Sequence, residues 1–417
     1  MRIVIVTHYW EPHVGGIEVI AAEHAQRLVR RGHEVTVVTS RLTGDPAFEE
    51  SDGIRIHRIR ALNPFERHGI PFPLFSWRLL PMVAELIRTS DVVLAHSHAF
   101  LGSVAAVLAA KRYGRPSVLL QHNPFVQFRF PWNVLELTDD YLVGRRVVRA
   151  ATILAAVSKH TRDHLSRLAG DRPIHVLYNG VDTLRFRPPG NVTERLEIRR
   201  RFGIPESAFI ALTIRRLVFR NGVATLVKAA SRLPQSPDTR VVIGGVGPEE
   251  AHLRRLIETE RIGNVQLIGS ISDADLADYY RAADAFVLPT LTGEGFSNSL
   301  MEALASGLPI IATRVGSPEE VVEPGENGML IHPNDEQAMA DAIVALRDEP
   351  ARARVMSTRA RATAERFNWE TRVDSLEGLL RQACDGGAGA RPLWHPGLPA
   401  TRPAAMAGRL DADVSRS

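Results

Sequence analysis

The segment Thr290-Leu291-Thr292-Gly293-Glu294-Gly295-Phe296-Ser297-Asn298-Ser299-Leu300-Met301-Glu302 sets two carboxylates on either side of a glycine-rich turn. An ionised carboxylate only accepts hydrogen bonds, so it suits the hydroxyls of a sugar or a ribose. Gly293 and Gly295 let a backbone approach a ligand closely. The amides of Phe296, Ser297, Asn298 and Ser299 open a helix whose positive end attracts an anion such as a diphosphate. With Glu294 in the loop and Glu302 about two turns into the helix, one carboxylate is placed to hold a sugar and the other a ribose. Pairs of glutamates eight apart are common by chance, so the loop between them gives this pair its meaning.

Three further places carry groups of the same kind. Gly15-Gly16 and Gly245-Val246-Gly247-Pro248 each turn a strand into a helix, where open α/β sheets bind ligands. The second lacks the third glycine of a dinucleotide fingerprint, having Glu250 there, which disfavours a nicotinamide enzyme. In Arg215-Arg216-Leu217-Val218-Phe219-Arg220-Asn221-Gly222, Arg216 and Arg220 are candidates to balance a departing diphosphate. His122 ends one apolar run, and His96 and His98 follow another, so these rings point toward one crevice as hydrogen-bond donors or proton carriers. His122 is the leading candidate, His98 belongs to the acceptor side, and His8 ranks behind both. His13, His24 and His33 lack the spacing of metal ligands, and no metal is expected. Asp411 and Asp413 form an acidic pair in the C-terminal tail. Asn191-Val192-Thr193 reads as a glycosylation acceptor only in a secreted chain.

These groups need a scaffold. Val- and Ile-rich runs without strict alternation, Ile3–Thr7, Val35–Thr39, Val92–Ala95, Val118–Leu120 and Ile153–Val157, predict strands covered on both faces. Helical stretches separate them, including residues 17–31 before Gly32 and 101–113 before Gly114. The pattern restarts at Ile210–Ile214, Val241–Gly244, Val265–Ile268, Ala285–Leu288, Ile310–Thr313 and Met329–Ile331. It predicts an α/β chain of two Rossmann-like, doubly wound parallel-sheet domains, residues 1–182 and 183–365. The turn-rich Asn179-Gly180-Val181-Asp182 marks the boundary. A helical stretch follows from Pro350 to about Cys384. Residues 385–417, rich in Gly, Ala, Pro and Arg, are expected to lack fixed structure.

Composition narrows the setting. The 417 residues are 45% hydrophobic and 24% charged, which excludes a disordered or collagen-like chain. No apolar run approaches the roughly 20 residues that span a bilayer. The N-terminus reads as a strand rather than a signal peptide, and the single Cys384 permits neither an internal disulfide nor a cysteine zinc site, so a cytoplasmic location is expected. A formal net charge of +4 is too small to call for a nucleic acid. Residues 1–180 hold 22 Lys and Arg against 16 Asp and Glu, a bias that suits an anionic membrane surface or a phosphorylated acceptor.

Taken in order, the motifs Gly15-Gly16 with Glu18, Arg31-Gly32-His33-Glu34-Val35, Val157-Ser158, Asn179-Gly180-Val181-Asp182, Arg216-Leu217-Val218, Gly245-Val246-Gly247-Pro248, Glu294 to Glu302, and Gly316-Ser317-Pro318-Glu319 with Gly325 and Asn327-Gly328 resemble those of the retaining glycosyltransferases of family four. The resemblance covers residues 1 to about 380. It implies a GT-B fold with an N-terminal acceptor domain, a C-terminal domain for a UDP- or GDP-sugar, a crossover helix over 366–384, and a reaction in the cleft without a metal or other cofactor. Glu294 would contact the donor sugar, Glu302 the ribose, Gly16 the diphosphate, and His122 the reacting sugar. Gly295, Phe296 and Ser297 would offer amides, and the anomeric configuration would be retained by front-face attack. The family's usual Lys, five residues after the counterpart of Arg216, is replaced here by Asn221, with Arg220 as a substitute. The expected acceptor is a hydroxyl of a lipid-linked or cell-envelope glycan, with Asn63–Pro81 as a stretch suited to the inner face of a membrane. The alternatives are a soluble sugar phosphate or inositol phosphate, or a catalytically silent binding module.

Overall fold

In the computed structural model, which describes residues 1–13, 15–64, 72–124, 140–234 and 239–386, the apolar runs form two separate sheets. The first contains β1 (Arg2–Val6), β2 (Glu34–Arg41), β3 (Phe48–Ser51), β4 (Ile54–Leu62), β5 (Leu74–Phe75), β6 (Val92–His96), β7 (Ser117–Gln121), β8 (Ile153–Ala156) and β9 (Ile174–Val176). Its order is β3-β4-β2-β1-β6-β7-β8-β9, with β5 added on β4. Only β3 and β5 run antiparallel, both on β4. The second contains β10 (Phe209–Ile214), β11 (Thr239–Gly244), β12 (Val265–Gly269), β13 (Ala285–Leu288), β14 (Ile310–Thr313) and β15 (Gly328–Ile331), all parallel, in the order β12-β11-β10-β13-β14-β15.

The strand order reverses between β1 and β6 in one sheet and between β10 and β13 in the other. Ligands of doubly wound sheets bind outside the carboxyl ends of the strands at such points. The loops leaving β1, β6, β7, β10, β11 and β13 carry most of the candidate residues, so the fold gathers what the sequence scatters.

Two departures from the sequence reading have simple causes. β4 alternates apolar and charged residues, Ile54-Arg55-Ile56-His57, and buries Ile54 and Ile56 while exposing Arg55. A search for continuous apolar runs passes over such a half-covered strand. The helical stretch to Cys384 is two helices, Pro350–Glu365 and Trp369–Cys384. Asn368 starts the second, its Oδ1 accepting from the Thr371 amide at 3.0 Å.

That second helix packs on β6, β7 and the helix Gly16–Arg30, all in the first domain. At the crossing, the Val181 amide donates to the Phe367 carbonyl at 2.9 Å, so the outgoing and returning chains run side by side. Arg27 lies over the Trp369 ring at 5.1 Å, and Arg31 reaches Glu370, Asp374 and Glu377 at 3.1, 2.7 and 3.2 Å. Of the expected tail only Asp385 and Gly386 are among the described residues. The rest of it, with Asp411 and Asp413, lies outside them, as do residues 65–71 of the Asn63–Pro81 stretch.

Candidate active site

β10 and β13 are neighbours, so the residues that follow them meet. Arg215 extends from the end of β10 and donates from Nη1 to Thr290 Oγ1 at 2.7 Å, and from Nη2 to Asn221 Oδ1 at 3.1 Å and Glu294 Oε2 at 2.8 Å. Thr290 Oγ1 donates to the same Glu294 oxygen at 2.9 Å. Both charged side chains are nearly covered, Arg215 at 8% and Glu294 at 14% exposure. Asn221 donates from Nδ2 to the Arg216 carbonyl at 2.7 Å. Thus the cation on Glu294 is Arg215, and the Asn at the family's Lys position is hydrogen-bonded to it. Gly245 and Gly247 lie directly against this loop, since a Cβ on either would overlap the carbonyl of Arg215 or Leu217.

The two domains touch through the same loops. A Cβ on Gly295 would overlap the His122 carbonyl, so only glycine allows the β13 loop to close on the β7 loop. Asn298, first residue of the helix Asn298–Ala305, donates to the Gly16 carbonyl at 3.2 Å and accepts from Asn179 Nδ2 at 3.2 Å. The amino ends of that helix and of Gly16–Arg30 therefore converge, an arrangement that concentrates positive potential for an anion. Gly15 precedes the second helix, with the buried Glu18 folded back against it. Burial works to raise Glu18, but His13 at 2.9 Å and His8 at 3.7 Å hold it below the usual carboxylate range.

Four buried histidines, His8, His24, His96 and His122, lie in the first domain. His122 Nε2 lies 2.8 Å from His96 Nδ1 with the rings stacked. Burial lowers His122 to about 3 and holds His96 well below its ordinary value. His24, edge-on to Trp369 with ring centroids 5.7 Å apart, is lowered by burial to about 3. His8 stacks on Phe100 and is lowered to about 4, chiefly by burial, with Arg216 near enough to add to the effect. At neutral pH these rings are uncharged, so they can orient a substrate by hydrogen bonding without adding charge. The His98 amide and Nδ1 both meet Gln121 Oε1, at 3.0 and 2.9 Å.

Glu302 lies deeper in the second domain. Tyr280 donates to its Oε2 at 2.7 Å, and burial raises it against the pull of Tyr280 and Arg185. Ser297 caps the helix with its hydroxyl accepting from the Leu300 amide, while its own amide donates to Ser317 Oγ at 3.3 Å. The Phe296 ring packs between Tyr178 and Phe367, centroids 5.4 and 5.9 Å away, in the crossing region. Among the described residues no cluster of three or more His, Cys, Asp or Glu is arranged to hold a metal ion.

Three further residues complete the cleft. Arg215 stood among neighbouring arginines with nothing in its type to rank it. Asn179 lies within a turn motif. Glu320, which follows the Gly316–Glu319 motif, receives the amides of Lys159 and His160 and the Tyr178 hydroxyl at 2.9, 2.9 and 3.0 Å.

Comparison with known proteins covers both domains. Residues 14–185 match the family described as Glycosyltransferase Family 4, and residues 194–363 match Glycosyl transferases group 1. A D-inositol 3-phosphate glycosyltransferase of Xylanimonas cellulosilytica is 31% identical over 390 residues, covering 88% of this chain and 92% of the relative. A GDP-mannose-dependent alpha-(1-6)-phosphatidylinositol monomannoside mannosyltransferase of Mycobacterium tuberculosis is 29% identical, covering 91% and 98%. Among solved structures, sucrose-phosphate synthase of Thermosynechococcus elongatus superposes with a TM-score of 0.77 at 23% identity, covering 91% of this chain and 98% of that one. Anabaena HepE, in complex with UDP and glucose, gives 0.74 at 21% identity, covering 92% and 100%.

Proposed function

The chain belongs to glycosyltransferase family four, a family of GT-B enzymes, and on that premise we propose that it moves a hexosyl group from a UDP- or GDP-sugar to a hydroxyl of an inositol phosphate. The observation that carries the acceptor is the 31% identity to an inositol 3-phosphate glycosyltransferase along 92% of its length, which includes the acceptor domain. The basic surplus of residues 1–180 suits a phosphorylated acceptor. This reverses the order of the two acceptors expected from the sequence alone.

In this reading Glu294 Oε1, which has no hydrogen-bond partner among the described residues, accepts from a hydroxyl of the donor sugar, and Glu302 accepts from the ribose. Arg216 and Arg220 face the diphosphate, with the amino ends of the helices starting at Gly16 and Asn298. His122, being uncharged, donates a hydrogen bond to the sugar. The acceptor oxygen bonds to the anomeric carbon on the face from which the diphosphate leaves. Its proton passes to the departing phosphate oxygen, and configuration is retained. No metal takes part.

Thermal-shift screening against UDP, GDP, ADP and their sugar conjugates tests the donor, because a ligand specific to the folded state raises the melting temperature. Transfer to inositol phosphates, read by mass and by the anomeric proton coupling, tests the acceptor and the retention. A shift with one nucleotide series, lost in Glu302→Ala, with transfer to an inositol phosphate, supports the reading. Nucleotide binding with neither transfer nor donor hydrolysis favours a silent binding module.

A lipid-linked inositol acceptor is the second reading. It is favoured by the mycobacterial relative and by the exposed apolar side chains Leu62, Leu74, Trp77 and Leu80, Trp77 being 77% exposed. Among the described residues no helix is long and apolar enough to cross a membrane, so this acceptor would be met at the bilayer surface. Cosedimentation with phosphatidylinositol vesicles but not phosphatidylcholine vesicles, weakened by Trp77→Ser, would support it.

A further inference from the structure

We propose that Arg215 is a positioning residue: its guanidinium fixes Glu294 so that one carboxylate oxygen is held by the protein and the other is presented to the donor sugar, with Asn221 orienting the guanidinium. The assignment rests on the transferase reading above and goes beyond it in naming the group that sets the carboxylate.

The geometry is over-determined. Glu294 Oε2 receives two donors, Arg215 Nη2 at 2.8 Å and Thr290 Oγ1 at 2.9 Å. Thr290 is itself held by Arg215 Nη1 at 2.7 Å, so guanidinium, hydroxyl and carboxylate close a ring. Asn221 cannot rotate by half a turn, because its Nδ2 donates to the Arg216 carbonyl at 2.7 Å and its Oδ1 must then accept from Arg215. The Arg215 backbone is fixed as well, since Gly245, at φ +123°, lies so close that any side chain there would overlap the Arg215 carbonyl.

Position in the fold explains why this matters. Arg215 follows β10 and Glu294 follows β13, the two strands at the reversal point, so the pair joins the two loops where doubly wound sheets bind ligands. A carboxylate free to rotate would present its oxygens at random to the sugar hydroxyl, and a misplacement of about 1 Å costs on the order of 100-fold in rate. Removing the cation would also leave a nearly buried carboxylate without its charge partner.

The test compares Arg215→Met, Arg215→Lys and the double variant Arg215→Met/Asn221→Lys. The readouts are kcat, KM for the nucleotide-sugar, the dissociation constant of the nucleoside diphosphate alone, and melting temperature. Arg215→Met is expected to lower kcat about 100-fold and to leave affinity for the nucleoside diphosphate within about threefold, a shift of about 0.7 kcal/mol or less. Arg215→Lys should keep part of the rate. The double variant should recover about tenfold, since the atom replaced at 221 lies 3.1 Å from the guanidinium and a lysine there reaches the same carboxylate.

Loss of nucleoside diphosphate affinity in step with kcat would overturn the assignment, making Arg215 a phosphate ligand. So would a lower melting temperature with kcat intact. If the wild type transfers nothing and hydrolyses no donor, the transferase reading fails. The positioning role is then decided by binding: weaker nucleotide-sugar affinity with unchanged nucleoside diphosphate affinity in Arg215→Met upholds it, and equal loss of both overturns it.

Discussion

Burial sets the charge of His8, His24 and His122 in the first domain, and this makes stability depend on pH in a definite direction. His122 and His24 are lowered to about 3 and His8 to about 4, each chiefly by burial. Above the unfolded value near 6.5 both states are neutral and the rings have no effect on the balance. As pH falls below it, the unfolded chain takes up protons that the folded chain refuses, so stability is lost progressively toward the folded values. Each ring then costs up to about 2 kcal/mol by pH 5. The melting temperature is expected to fall between pH 6.5 and 4, and less steeply in His24→Leu; parallel curves for the two proteins would refute this. At this scale Glu294 and His122 were legible as candidates because each follows a strand, and Glu302 because it lies in the helix that the glycine-rich loop opens. Arg215 was not, because only the pairing of β10 with β13 sets it beside a carboxylate 79 residues away.

Close approaches between elements are recorded in the sequence as glycines, and two of them give separable effects. A Cβ on Gly180 would run into the Trp369 ring at the crossing of the domains. Gly180→Ala is therefore expected to destabilise the protein by about 1–3 kcal/mol, the usual range for overpacking, seen as a lower calorimetric melting temperature. Gly295→Ala presses on the His122 carbonyl instead, where two loops meet at the cleft rather than in a core. Its expected effect is a rise of about tenfold in KM for the nucleotide-sugar, as the loops are forced apart, with a much smaller change in melting temperature. An unchanged KM would show that the loops need not touch during turnover. The core strands were readable because strands buried on both faces are continuously apolar. β4 escaped because one of its faces is charged, and β3, β5 and β9 are too short or too polar to announce themselves.

The existence of two doubly wound domains followed from a strand-and-helix pattern that stops and restarts, but their mutual placement depends on side chains with no periodic signature. Glu320 is the clearest of these. It belongs to the second domain, yet its carboxylate accepts from the Lys159 and His160 amides at the start of the helix Lys159–Ala169 of the first, and from the Tyr178 hydroxyl. A negative charge at the amino end of a helix is stabilising by about 0.3–1 kcal/mol at an exposed site and more when partly buried. Here that energy is gained only while the domains are together. Glu320→Ala leaves two amides and a hydroxyl to be satisfied by water, which favours separation. The expected result is a larger radius of gyration in solution scattering and a higher KM for the acceptor, with helix content unchanged by circular dichroism. Addition of nucleotide-sugar should restore the smaller radius if the donor bridges the helix starting at Gly16 to the helix starting at Asn298. An identical radius in variant and wild type, with and without donor, would mean that the aromatic contacts of Phe296, Tyr178 and Phe367 hold the domains without Glu320.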